Sequence, residues 1–244
     1  MQRALEAMQE RLYSVFDGTR FERGADLIVL LCLPLPIPQF NGAWVVEDSP
    51  SAAEALADAV AEIEAAGAWP WVQTRSGQSR TQQRAHSLGF TESVRVPGMV
   101  MRSGDLAEPA VDIQIELVGD GDVDAVNELL VACFGVPKEM LDELGGGVRR
   151  LEGACWYVGR ADGAIVSSAV GLTVDGATGV FNVATLQEQR GRGYGAALTA
   201  RAVRDGFRAG ATFAFLQSSE IGHELYRRLG FRDVEEYVLL TRPG

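Results

Sequence analysis

The stretch Arg190-Gly191-Arg192-Gly193-Tyr194-Gly195-Ala196 is the part of this chain best suited to chemistry. Glycines at alternate positions put no Cβ in the way, so successive backbone N–H groups can converge on an anion. Residues 179–186 before it are apolar and strand-like, and residues 196–208 after it have helical spacing. A helix that starts here adds its unpaired N-terminal amides and the positive end of its dipole. Arg190 and Arg192 add cationic donors suited to phosphate oxygens. Types and spacing together predict a phosphate-binding turn.

Two further side chains are candidates. Tyr226 is a phenol able to donate a proton to a leaving anion. The same position also suits a helix ring packed on a sheet. Ser219 suits the N-cap of the helix that follows it. No general base stands out. Residues 180–186 carry Asn182 and Thr185 but no carboxylate; Glu188 and Glu220 read as surface charge, and His223, one turn before Tyr226, is either a proton shuttle or a partly exposed helix histidine. Water is then the expected sink for a nucleophile's proton.

The elements that must position these groups show an internal echo. Arg84-Ala85-His86-Ser87-Leu88-Gly89-Phe90 parallels Leu225-Tyr226-Arg227-Arg228-Leu229-Gly230-Phe231. Each Leu-Gly-Phe reads as a helix stop followed by a strand, 96–101 and 236–241. Ahead of each lies the same order: a strand (43–47 and 180–186), a helix (51–66 and 196–208), a strand (69–74 and 212–217) and a helix. Ser51-x-x-Glu54 reads as a capping box for the helix 51–66. In the second half an amphipathic helix opens after Asp120-Gly121-Asp122, and a short helix 138–144 is stopped by Gly145-Gly146-Gly147. Strands at 155–160, 164–174 and 179–186 follow, turned at Asp162-Gly163 and Asp175-Gly176. The polar, Pro- and Gly-containing stretch 103–110 reads as a linker between domains 1–104 and 111–244. The first copy carries Glu47-Asp48-Ser49-Pro50 where the second carries its arginines and glycines. Two carboxylates repel a pyrophosphate, and Pro50 has no N–H to offer.

Composition narrows the class. With 244 residues, 47% hydrophobic and 23% charged, the chain can bury a core. No apolar run reaches the roughly 20 residues needed to span a bilayer. The N-terminus reads as an amphipathic helix without the features of a signal peptide. Three widely spaced cysteines argue against a disulfide framework or a cysteine metal site and fit a cytoplasmic location. Two histidines leave no basis for a His-rich metal site, so no metal is expected. A net charge of −11 disfavours nucleic acid and suits a cationic amine.

Two ligand classes fit the turn. Gly191-x-Gly193-x-x-Ala196 satisfies the dinucleotide fingerprint, with Glu220 as the acid expected about 20 positions on. Too little sequence follows, however, for a doubly wound sheet. The second class is coenzyme A. Arg190, Gly193 and Gly195 resemble motif A, Q/R-x-x-G-x-G/A, of the GCN5-related N-acetyltransferases (GNAT). The resemblance continues through residues 213–217, Ser219, Tyr226 and Leu229-Gly230-Phe231.

This resemblance implies an α/β (α+β) chain of two tandem acyl-CoA N-acyltransferase-like domains. Each is a mixed, mostly antiparallel sheet flanked by helices, and the first is a degenerate copy without a cofactor loop. It implies acetyl-CoA as co-substrate and direct attack by a small-molecule primary amine in a ternary complex. It further implies that Val183, Ala184 and Thr185 pair with the pantetheine arm and offer an N–H to the thioester oxygen. Arg190, Gly191, Arg192, Gly193, Tyr194, Gly195 and Ala196 would hold the pyrophosphate, Ser219 the pantetheine or adenosine arm, and Tyr226 would protonate the thiolate. No nucleic-acid or membrane partner is expected, and the chain is a monomer or homodimer. A non-catalytic acyl-CoA sensor of the same fold is the alternative; retention of Tyr226 favours the enzyme.

Overall fold

The computed structural model describes residues 1–35 and 38–242. Its helices are α1 (Gln2–Tyr13), α2 (Pro50–Ala65), α3 (Ser79–Ser87), α4 (Val123–Phe134), α5 (Lys138–Arg150), α6 (Tyr194–Arg208) and α7 (Glu220–Leu229). Its strands in the first half are β1 (Thr19–Arg23), β2 (Leu27–Cys32), β3 (Gly42–Val45), β4 (Trp71–Arg75) and β5 (Thr91–Arg102). Those in the second are β6 (Gln114–Leu117), β7 (Ala154–Ala161), β8 (Ala164–Val174), β9 (Ala177–Thr185), β10 (Phe213–Gln217) and β11 (Arg232–Thr241).

The chain divides into two compact units. One joins Met1–Val15 to Gly98–Val234; the other joins Phe16–Pro97 to Glu235–Gly244. These bounds differ from a cut at 104–111, and the reason is packing. Helix α1 lies on β8 and β9, with Met8 filling the space that a side chain at Gly179 would need. The terminal strand β11 pairs through Tyr237–Leu240 with β4.

In the later unit β6, β7, β8 and β9 are successively antiparallel, β9 is parallel to β10, and β10 is antiparallel to the Gly98–Arg102 end of β5. Helix α6 makes the crossover between β9 and β10, and its apolar face (Leu198, Ala202, Val203) enters a core with Met99, Tyr157, Leu216, Tyr226 and Phe231. In the earlier unit β1, β2 and β3 are antiparallel, β3 is parallel to β4, and β4 is antiparallel to β11. Here α2 makes the crossover and packs Leu56, Ala59 and Val60 on Ala43, Val45, Val72 and Phe90. Each Leu-Gly-Phe delivers its phenylalanine to a core, Phe90 to one and Phe231 to the other. The strand that follows does something the echo does not foretell. The far end of each joins the sheet of the other unit's crossover, so each unit takes a strand end from the other half of the chain.

Two local expectations are corrected. Helix α2 is capped by Ser49, whose Oγ accepts from the Ala52 N–H at 2.9 Å. Pro50 occupies the first helical position, where no N–H is needed. Ser51 instead donates to the Asp26 carboxylate at 2.6 Å. Helix α5 runs through Gly145-Gly146-Gly147 to Arg150 rather than stopping there. Tertiary packing overrides glycine's weak helix propensity: a Cβ at Gly145 would stand 3.0 Å from the Trp156 ring, so the helix sits close only because that position is bare.

Candidate functional site

The site is prepared by an irregularity in β9. Ser168 faces Ala184 and Val170 faces Phe181, so Asn182 and Val183 together answer the single residue Ala169. This is a β-bulge, which bends the strand. Asn182 has φ 50°, a left-handed conformation that asparagine tolerates better than most residues. Strand β9 pairs with β10 from Ala177 to Gly179. Beyond that point the β10-facing edge of Val183–Thr185 opens onto a cavity.

The turn after β9 completes the cavity wall. A 3₁₀ turn, Gln187–Gln189, leads to Arg190, and Gly191 and Gly193 both adopt positive φ, 78° and 81°. Gly193 is the N-cap of α6, and no side chain caps that helix. Its first amides therefore have no intrahelical acceptor. Gly195 is the point of convergence. A Cβ there would stand 3.5 Å from Thr185 Oγ1, 3.5 Å from Val183 Cγ1 and 3.8 Å from Leu225 Cδ1. Three elements, β9, α6 and α7, thus meet around one bare position. Arg190 does not simply reach into solvent: its Nε donates to the Thr185 carbonyl at 3.2 Å, tying the turn to the strand end. Arg192 is exposed.

Helix α7 supplies the remaining side chains. Ser219 is its N-cap, with Oγ accepting from the Gly222 N–H at 3.2 Å. The capping alternative is therefore realised, and the hydroxyl hydrogen stays available to a ligand because the cap uses only the oxygen. Tyr226 is 9% exposed and packs edge-on to Phe231, with ring centroids 5.9 Å apart. It also borders the cavity. Burial pushes its phenol up to about 12, so it stays protonated and able to donate. The helix ends at Gly230 with φ 107°, where any Cβ would strike the Asp105 carbonyl. Packing and cavity-lining are thus both true of Tyr226.

The cavity holds about 720 Å³, within the range of small-ligand sites. Val183, Ala184, Thr185, Arg190, Gly191, Gly193, Tyr194, Gly195, Ala196, Ser219 and Tyr226 all line it; Arg192 stands outside its wall. The wall also contains residues that sequence reasoning missed: Ala107, Glu108, Pro109, Cys133 and Phe134. The first three lie in the stretch read as a linker. It is held to the site by the Ala107 N–H on the Leu229 carbonyl at 2.9 Å and by a Glu108–Arg204 ion pair. Burial pushes the Cys133 thiol above its ordinary value, against the pull of the nearby Arg190 guanidinium. Glu188, Glu220 and His223 are not among the lining residues, and His223 is engaged with Asp233 at 2.6 Å. Among the described residues no group of His, Cys, Asp or Glu is arranged to hold a metal ion, and no helix is long and apolar enough to cross a membrane.

The corresponding turn of the earlier unit is occupied by its own side chains. Asp48 accepts from the Arg80 N–H, the Thr81 N–H and the Thr81 hydroxyl at 3.1, 2.8 and 2.6 Å, satisfying the start of α3. Gln78 Nε2 donates to the Val46 carbonyl at 3.3 Å, beyond the end of β3, while its Oε1 accepts from the Arg75 N–H at 2.7 Å. Burial alone would raise the Asp48 carboxyl, but the bonds from Thr81 and Arg80 hold it below its ordinary value of 3.8. A carboxyl depressed in the fold stabilises above its unfolded value and loses that contribution as pH falls through the folded one. Asp48→Ala should therefore cost about 1–2 kcal/mol at neutral pH, the scale of a lost helix cap. In thermal melts the gap between wild type and variant should narrow as pH drops below 3.8.

Residues 114–234 match the acetyltransferase (GNAT) domain family. A GCN5-related N-acetyltransferase from Kribbella flavida superposes with TM-score 0.78 at 22% identity, over 99% of this chain and 95% of that one. One from Sphaerobacter thermophilus superposes with TM-score 0.65 at 20% identity, over 99% and 92%. A functionally unknown conserved protein from Staphylococcus epidermidis gives TM-score 0.72 at 14% identity, over 94% and 96%. At these identities the likeness is one of fold. No curated protein gives a significant match.

Proposed function

Residues 114–234 belong to the GNAT acetyltransferase family, and on that premise we propose that the chain transfers acetyl from acetyl-CoA to a primary amine of a small molecule. The observation that supports it most is a convergence. An uncapped helix N-terminus, an unpaired strand edge and a protonated phenol open onto one cavity.

In this reading the glycine turn and the first amides of α6 hold the pyrophosphate, a role for which backbone donors and the helix dipole suffice. The edge at Val183–Thr185 aligns the pantetheine arm and presents an N–H to the thioester oxygen, where charge develops. The neutral amine attacks the thioester carbon, its surplus proton passes to water, and the carbon–sulfur bond breaks. Tyr226 gives its proton to the departing thiolate. Ser219, with its oxygen already in the cap, donates its hydroxyl hydrogen to the arm.

The earlier unit reads as a degenerate copy whose cleft Asp48 and Gln78 have closed. The protein would act in the cytoplasm without nucleic acid, metal or membrane.

The reading is tested by thiol release. Incubated with acetyl-CoA and a panel of primary amines, the protein should liberate coenzyme A only when a suitable amine is present, with acetylated amine found in equal amount. Thiol release independent of every amine would contradict it.

A further inference from the structure

The charges on the wall of the coenzyme cavity select among amines. Two carboxylates stand among the described residues of that wall, Glu108 and Glu224. Both are engaged. Glu108 Oε1 accepts from Arg204 Nε at 3.1 Å, and Glu224 Oε1 accepts from Arg228 Nε at 3.2 Å. A carboxylate titrates near 4 when free, and a guanidinium beside it makes it a weaker base still.

The neutral acids of the wall do not take a proton either. Tyr226, pushed up to about 12 by burial, keeps its own at neutral pH. Burial pushes the Cys133 thiol up as well, so it stays a thiol there. Tyr194 adds a second phenol. Glu188, Glu220 and His223 stand off the wall, and His223 Nε2 lies 2.6 Å from Asp233.

The cations of the wall are Arg190 and Arg228. Arg228 answers Glu224, whereas Arg190 has its Nε on the Thr185 carbonyl and no carboxylate partner among the described residues. Val183, Ala184, Leu225 and Leu229 add apolar surface. An ammonium entering this cavity loses hydration and finds no unpaired carboxylate in return. A neutral amine gives up far less. The net charge of −11 draws cations toward the surface at long range, but none of it is uncompensated on this wall.

On the acetyl-transfer reading, on which this rests, we infer that the acceptor is a weakly basic amine, already neutral near pH 7 when it enters: an α-amino group, an arylamine or an amine with an electron-withdrawing neighbour, rather than an alkylamine. The difference is large. At pH 7 an alkylamine titrating near 10.4 is neutral in about one molecule in 2,500, and an α-amino group titrating near 7.8 in about one in seven. The lone pair of the neutral nitrogen forms the bond to the thioester carbon, the carbon–sulfur bond breaks, and the thiolate takes the Tyr226 proton. The surplus proton on nitrogen leaves to water, and water returns one to the phenolate.

Amines paired by size test this in the thiol-release reaction of the full chain: ethylamine against trifluoroethylamine, and phenethylamine against β,β-difluorophenethylamine. Fluorine lowers basicity and alters shape little. At pH 7 at least one fluorinated amine should exceed its parent about tenfold or more in kcat/KM. The parent should gain about tenfold per pH unit between about pH 7 and 9 and close the gap, while the fluorinated amine stays nearly level. A parent that matches its fluorinated partner at pH 7, or whose rate is level across that range, would overturn the inference and leave acetyl transfer standing. A loss of about a hundredfold in kcat in Glu224→Gln would overturn it too, by identifying a base. Failure of every amine to draw thiol release would remove the acetyl-transfer reading and this inference with it.

Discussion

Gly193→Asp should weaken acetyl-CoA binding by at least about a hundredfold, equivalent to roughly 3 kcal/mol. Three effects act in the same direction. Gly193 has φ 81°, a left-handed conformation in which a side chain costs about 1 kcal/mol. A Cβ would stand 2.7 Å from Val111 Cγ2, so the turn has to shift. The new carboxylate also sits at the N-cap of α6, where it repels the pyrophosphate and competes for the same amides. Gly193→Ala separates these effects. It keeps the strain and the crowding but adds no charge, so its loss should be smaller. Equilibrium titration of both folded variants with acetyl-CoA makes the comparison.

Tyr226→Phe should lower kcat by about 10- to 1,000-fold while leaving donor affinity little changed. Only a hydroxyl is lost, and the ring keeps its edge contact with Phe231. A purely structural tyrosine would give near-normal turnover as phenylalanine. With its phenol pushed up to about 12 by burial, Tyr226 should give no descending limb in the pH–rate profile below pH 10. A kcat for the variant matching wild type with a verified acceptor would leave water as the proton source for the thiolate.

Much of the candidate site was legible because it is local. Alternate glycines between an apolar run and a helical one fix the turn, and the bare N-terminus of α6 follows from Gly193 at the cap. Ser219 likewise announces a helix start, and the structure shows that cap in place. What could not be read depends on partners far along the chain. The bulge at Asn182–Val183 exists only in register with β8, and it opens the strand edge that the proposed chemistry needs. The sole local sign of it is an asparagine able to take positive φ. Residues 107–109 look like linker, yet a bond from Ala107 to the Leu229 carbonyl brings them to the cavity.

The same division explains the fold. The echo around Leu-Gly-Phe correctly orders strand, helix, strand and helix in both halves, since caps and periodicity are local properties. The choice of pairing partner is not. Nothing in 236–241 says that this strand will join β4 rather than β10, because both would accept an apolar alternating neighbour. Likewise Gly145-Gly146-Gly147 reads as a stop until Trp156 is known to lie against it.

The central claim is that one cavity, in the unit carrying the glycine turn, holds acetyl-CoA. Calorimetric titration of the wild-type chain with acetyl-CoA, and separately with NAD, tests it most directly. The account predicts one acetyl-CoA site per chain and no measurable NAD binding. Two equal acetyl-CoA sites, or NAD bound in preference, would contradict it.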